Sequence, residues 1–191
     1  YYFPAFVSHW GNKSAAAGFM GLFILLALLS YFNLTKHYYA LKNYPVADGR
    51  DRFLTFDPRI DNRGPLLNIT LKYINKSMSE KDTFIVLPEG VMINYLTKRK
   101  NPTPYINFMV PEMLLYGEDT ILDAVRKNPP TFFVIVHKNT MEYGFEFFGQ
   151  DIRYGQKIMI WVNQHYRSVV KIGDDPLRDN RFGIKVMKQS E

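Results

Sequence analysis

The sequence predicts an α/β protein: one membrane-crossing helix, then a small α/β sandwich with a mixed, partly parallel sheet and a carboxyl-terminal hairpin. Three observations carry that expectation. Positions 14–35 hold no charged residue and are rich in Ala, Leu and Phe. Two runs, Phe84-Ile85-Val86-Leu87 and Thr131-Phe132-Phe133-Val134-Ile135-Val136, are apolar without alternation, the pattern of strands buried on both faces. Amphipathic stripes at helical spacing stand between and after those runs.

The first element is the apolar run, centred on Ala15 to Leu29. As a helix rising about 1.5 Å per residue, it covers the hydrocarbon thickness of a bilayer. Trp10 before it and Tyr31, Phe32, Tyr38 and Tyr39 after it resemble aromatic belts at the two interfaces. A signal peptide has a shorter apolar region behind a basic start, and a soluble core helix keeps a polar face, which this run lacks. Lys13 precedes the run while Lys36, Lys42, Arg50 and Arg52 follow it, so the local charge count places the following residues in the cytoplasm. That count is weak for a long following domain, and on charge alone the orientation stays open. The chain opens on Tyr rather than Met and reads as a fragment with its upstream part missing.

Residues 37–65, with Pro45, Gly49, Pro58, Gly64 and Pro65, read as a connector between a membrane segment over 1–36 and a soluble domain over 66–191; Phe53 to Phe56 read as a short strand within it. Pro65 suits the first turn of a helix whose stripe is Leu67, Leu71, Ile74 and Met78. The Phe84 strand ends at Pro88, which cannot donate to a ladder. Gly90 permits a sharp turn into a short helix carrying Met92, Tyr95 and Leu96. Residues 105–110 read as a further strand and 111–117 as a breaker region. Glu118-Asp119 opens a helix with Ile121, Leu122 and Val125, and Asn128-Pro129-Pro130 stops it. After the second apolar strand, a helix shows Tyr154, Ile158, Trp161, Val162 and His165 on one face. Two strands, 168–172 and 182–187, close the chain around a turn at Gly173 to Pro176.

The 191 residues suit one ordinary core, and 13 Tyr and 15 Phe make the chain unusually aromatic. No Cys is present, which excludes disulfides and thiol catalysis. The formal charge of +6 favours anionic partners such as lipid head groups. Its basic residues are scattered rather than massed, which argues against nucleic acid. The four His (9, 37, 137 and 165) show no metal-ligand spacing, and no P-loop, dinucleotide glycine motif or nucleophile elbow occurs. Two clusters remain, both just beyond or between apolar strands. One holds Glu89, Asn94, Lys98, Arg99, Lys100, Asn101 and Tyr105. It reads either as local structure or as a pocket for a polar or phosphorylated group, with Arg99 as forked donor and Asn94 meeting hydroxyls. The other runs from Phe147 to Gly155 and includes Asp151 and Arg153, with Asp151 suited to cap the next helix. Polar groups past the carboxyl ends of buried strands are where open α/β sheets bind ligands.

Leu87-Pro88-Glu89-Gly90, Asn94-Tyr95-Leu96-Thr97, Arg99, Asn101-Pro102-Thr103, Pro129-Pro130, Phe148-Gly149 with Asp151, and Asn163 with Tyr166 form a recognisable series. In that series nearly the whole chain resembles the carboxyl-terminal part of bacterial membrane glycosyltransferases of the GT-C type, related to protein mannosyltransferases and lipid A aminoarabinose transferases. The resemblance implies transfer of a sugar from a polyprenyl-phosphate carrier onto a glycan, lipid or protein acceptor. It also implies residence in the inner membrane, with residues 37–191 extracytoplasmic. The catalytic carboxylate of such enzymes lies in an early outward loop, so the resemblance assigns no catalytic residue and no cofactor to this chain; a divalent metal would belong to that upstream part. Two other readings stand beside it: a single-span, membrane-anchored, non-catalytic binding or assembly module, and a soluble nucleotide-binding enzyme.

Overall fold

The computed structural model describes residues 13–190 and divides the chain into two compact units that meet after Asn43. Trp10, His9 and the other residues before Lys13 lie outside the described part. In the first unit, helix α1 runs from Lys13 to Ala40, four residues past the boundary expected at 36. Its stretch 14–40 is the one helix among the described residues that is long and apolar enough to cross a membrane. At 27 residues it spans about 40 Å, against about 30 Å of bilayer hydrocarbon. A core helix of a soluble protein is mostly buried; only 6% of the most apolar window of α1 is. Tyr31, Phe32, Tyr38 and Tyr39 are all exposed near its carboxyl end, and the Lys42 ammonium lies 4.5 Å from the Tyr38 ring centre.

The second unit starts at Tyr44, inside the stretch read as a connector. Strands β1 (Tyr44–Val46) and β2 (Phe53–Thr55) pair antiparallel, with Val46 opposite Phe53. The hairpin packs on helix α2 (Arg63–Ser77) through Val46 beside Leu71 and Ile74, and Asn68 hydrogen-bonds it there, donating to the Pro45 carbonyl at 2.9 Å and accepting from the Ala47 N–H at 3.1 Å. A connector rich in Pro and Gly is thereby part of the folded body.

Strand β3 (Phe84–Leu87) pairs in parallel with β4 (Phe132–Val136), placing Phe84 opposite Phe132 and Leu87 opposite Ile135. Strands β5 (Tyr166–Gly173) and β6 (Gly183–Gln189) form the closing hairpin, and the sheet order is β3-β4-β6-β5, with every pair beyond β3–β4 antiparallel. Helices pack on both faces of the sheet over β3 and β4, which explains why these two strands read as unbroken apolar runs. Phe84, Val86, Phe132, Val134, Ile184 and Val186 meet Leu71, Ile74 and Met78 on one face, with Ile93 from helix α3 (Val91–Thr97). On the other face Ile85, Leu87, Phe133 and Ile135 meet α4 (Val110–Tyr116), α5 (Glu118–Lys127) and α6 (Gln156–His165), through Met113, Ile121, Val125, Ile158 and Val162. The result is helices, sheet, helices: a three-layer sandwich.

One stretch departs from the sequence expectation. Residues 105–109 form no strand, and the supposed breaker region is helix α4. Pro111 occupies the first turn of α4, where its missing N–H leaves no bond unmade, so it starts a helix rather than ending one. The chain before it runs alongside β3, held at both ends: the Phe84 N–H donates to the Lys100 carbonyl at 3.1 Å, and the Phe108 N–H donates to the Pro88 carbonyl at 2.8 Å. Pro102 and Pro104 lie between these two bonds and cannot donate, so the segment covers the edge of β3 without extending the ladder.

Candidate functional site

The first sequence cluster divides between the two ends of β3. Glu89 lies past the carboxyl end, while Arg99, Lys100 and Asn101 lie beside the amino end, because α3 carries the chain back along the strand. The ends are roughly 10–13 Å apart, given about 3.3 Å per strand residue.

At the amino end the polar groups serve the fold. Asn94 is buried, and its amide donates to the Phe84 carbonyl at 3.0 Å and the Arg99 carbonyl at 3.2 Å, binding helix to strand. The fork of Arg99 donates to Asn75 Oδ1 at 2.8 Å and to the carbonyls of Thr97 at 2.6 Å and Met78 at 2.9 Å, which fixes the turn after α3 to the end of α2. Asn101 folds its own loop, donating to the Tyr105 carbonyl and accepting from both the N–H and hydroxyl of Thr103. The Tyr105 ring packs edge-on against Tyr116, with centres 5.1 Å apart. Lys98 is paired with Asp51 at 2.8 Å, and Tyr95 donates to the same carboxylate at 2.6 Å; the two bonds hold Asp51 below the usual carboxylate range. A shallow, mainly apolar groove of about 520 Å³ remains over Val91, Tyr95 and Ile106, with Lys98, Arg99 and Lys100 beside it.

In the second cluster, Asp151 does not cap α6. It lies five residues ahead of Gln156, where its carboxylate accepts from the Arg153 backbone N–H at 2.9 Å and from the Arg153 guanidinium at 2.9 and 2.8 Å. Those bonds lower its pKa to about 2. The α6 cap comes instead from Glu118, which accepts the Ile158 N–H at 3.0 Å. His165 is at the rim, with Nδ1 2.8 Å from the Trp161 carbonyl and its ring stacked on that indole.

The carboxyl end of the parallel pair differs. Glu89 is half-exposed and lies 3.4 Å from the Lys138 ammonium, which follows β4. Tyr154, fully buried nearby, has its hydroxyl pKa pushed up by burial, with the charges of Glu112 and Glu89 adding to the effect. Glu112 accepts from Asn107 at 2.9 Å through one oxygen, while its other oxygen is buried without a partner. The backbone here is closely fitted: Gly149 and Gly155 have φ of +82° and +74°, and a β-carbon on Gly155 would lie 2.4 Å from the Phe148 ring.

At His137, the residue before Lys138, opens a cleft of about 440 Å³ lined also by Asp61, Asn62, Arg63, Asn180, Arg181 and Phe182, with Pro58 and Ile60. Sequence reasoning passed over it. His137 directly follows β4, its N–H donating to the Gly183 carbonyl at 2.9 Å. Its ring faces Phe147 and Phe182, with centres 5.5 and 6.2 Å away, and its Nδ1 is buried without a partner. Burial and the nearby Arg63 charge lower its pKa, with Asp179 opposing, which disfavours the protonated ring. A histidine immediately after a fully apolar strand was the available signal. Among the described residues no group of three or more His, Asp or Glu forms a metal-ligand set. Comparison with family models, with curated proteins and with solved structures finds no match to this chain.

Proposed function

We propose that the chain is the carboxyl-terminal part of a GT-C type membrane glycosyltransferase using a polyprenyl-phosphate-linked sugar. In this reading α1 is its last membrane span, in the inner membrane, and the α/β unit lies outside the cytoplasm, assisting acceptor binding or covering the active site. The observation that carries the reading is the pairing of one membrane-length helix with an α/β unit in which the motif strings lie at structural junctions. Leu-Pro-Glu-Gly ends β3, Pro129-Pro130 precedes β4, and the Tyr166 hydroxyl donates to the Pro130 carbonyl at 2.7 Å, tying two of the strings together. An extracytoplasmic placement overrides the local lysine and arginine count, because long domains cross largely regardless of flanking charge.

The test is sugar transfer in membranes from a polyprenyl-phosphate donor by the protein of the complete reading frame. That protein should transfer sugar, Glu89→Gln should reduce transfer with expression unchanged, and the present chain alone should be inactive. A reading frame that encodes no further apolar helices ends this proposal. It would favour the second reading, a single-span anchored binding or assembly module, which has in its support the one helix among the described residues that is long and apolar enough to cross a membrane.

A further inference from the structure

The cleft below His137 gathers hydrogen-bond donors around an open space. Arg63, which begins α2, and Arg181, on the turn before β6, both line it. Each guanidinium has one carboxylate neighbour and is otherwise well exposed: Arg63 lies 3.5 Å from Asp61, and Arg181 lies 3.2 Å from Asp174. Exposed pairs of this kind contribute little, and each fork of five donors keeps several free. Asn62 and Asn180 add amides, and Phe182 supplies an aromatic wall 5.8 Å from the Arg63 guanidinium.

His137 fixes the polarity of the floor. Its buried Nδ1 has no acceptor within reach, and an orphaned buried N–H is rarer in folded proteins than an orphaned acceptor. A ring protonated on Nε2 leaves Nδ1 as an acceptor and offers a further donor from His137. Arg63 and Arg181 are the cations of the lining and Asp61 its carboxylate, with Asp174 beside Arg181 and Asp179 near His137 bordering it. A carboxylate ligand presents two oxygens in one plane to the donors of Arg63, Arg181, Asn62 and Asn180. A tetrahedral phosphate has three or more oxygens and carries greater charge near neutral pH.

We propose that this cleft binds a phosphate monoester or diphosphate group, held between the Arg63 and Arg181 guanidiniums with His137 and the asparagine amides completing its shell. The site stands independently of the glycosyltransferase reading, since it rests on the cleft alone. The group has two sources, a free phosphate or a phosphate on a lipid.

The experiment is calorimetric titration of the full chain in nonionic detergent with three probes: inorganic pyrophosphate, micelle-embedded farnesyl phosphate, and acetate. Saturable binding of either phosphate probe, with acetate at least about tenfold weaker, is expected. Arg181→Ala and Arg63→Ala should each weaken phosphate binding about tenfold, and His137→Gln less. Lys100→Ala, at the far end of the sheet, should leave it unchanged. Farnesyl phosphate binding well above pyrophosphate assigns the lipid source, and equal binding assigns the free group; both uphold the site. Failure to saturate either phosphate probe by about 10 mM, or binding that survives Arg181→Ala, overturns it. Because Arg181 is an exposed turn residue, its variant decides the matter even if Arg63→Ala, at a helix start, fails to fold.

Discussion

The two ends of strand β3 carry polar residues at similar density, yet they spend them differently. At the amino end Asn94, Arg99 and Asn101 give their donors to backbone carbonyls and local side chains. At the carboxyl end His137 and Glu112 each keep a buried atom without a partner, and Glu89 is only loosely paired. Arg99 also has a buried, unpartnered Nε, so the contrast is one of degree. A dense motif can thus be a fastening, whereas a site is marked by groups the fold does not use up.

The sharpest way to break this comparison is Gly155→Ala. If the carboxyl end were open because its loop is slack, the change would be tolerated. With φ at +74° and the Phe148 ring in the way, we expect a loss of about 2–5 kcal/mol in urea unfolding of the full chain in detergent. Asn94→Ala tests the other end. It leaves the Phe84 and Arg99 carbonyls short of their donor, and a loss of about 2–4 kcal/mol is expected by the same measurement. An effect below that of an ordinary surface change would show that the amino end is not fastened as described.

Glu89→Gln should change stability by no more than about 0.5 kcal/mol, since its ion pair is half-exposed. A larger loss would make Glu89 a structural group and remove it from the candidate site. The smallest expected effect is a pH response. Folding lowers the His137 pKa, so the unfolded chain takes up the proton first. The corresponding stability is fully present above the unfolded value of about 6.5 and declines as pH falls through it. The urea midpoint of the wild type should therefore fall relative to that of His137→Gln on going from about pH 7.5 to 5.5, and parallel curves would show that the ring is not shielded as described.

Much of the fold was legible in the sequence because burial on both faces leaves an unmistakable trace: strands β3 and β4 fall within a residue of the apolar runs. Helices α2, α5 and α6 follow from their stripes for the same reason. Residues 105–110 carry the trace of a strand because Ile106, Phe108 and Val110 alternate as a strand does, while in the fold they line an edge and enter a helix. The site was harder to read. Arg99 and Asn94 are the residue types a ligand pocket needs, and sequence spacing does not say that backbone carbonyls have claimed them. His137, Arg63 and Arg181 are scattered over more than half of the α/β unit, and only the sheet brings them together.

The segment laid along β3 makes the two borders of the sheet unequal. That border is screened by residues 100–108, so a strand from another molecule has no row of amides to meet there. The opposite border, β5, faces outward with Arg167 and Lys171 and an interruption of register between Ser168 and Val170. Charge and irregularity are the ordinary deterrents to strand addition, and at high local concentration they would keep neighbouring copies from joining sheet to sheet.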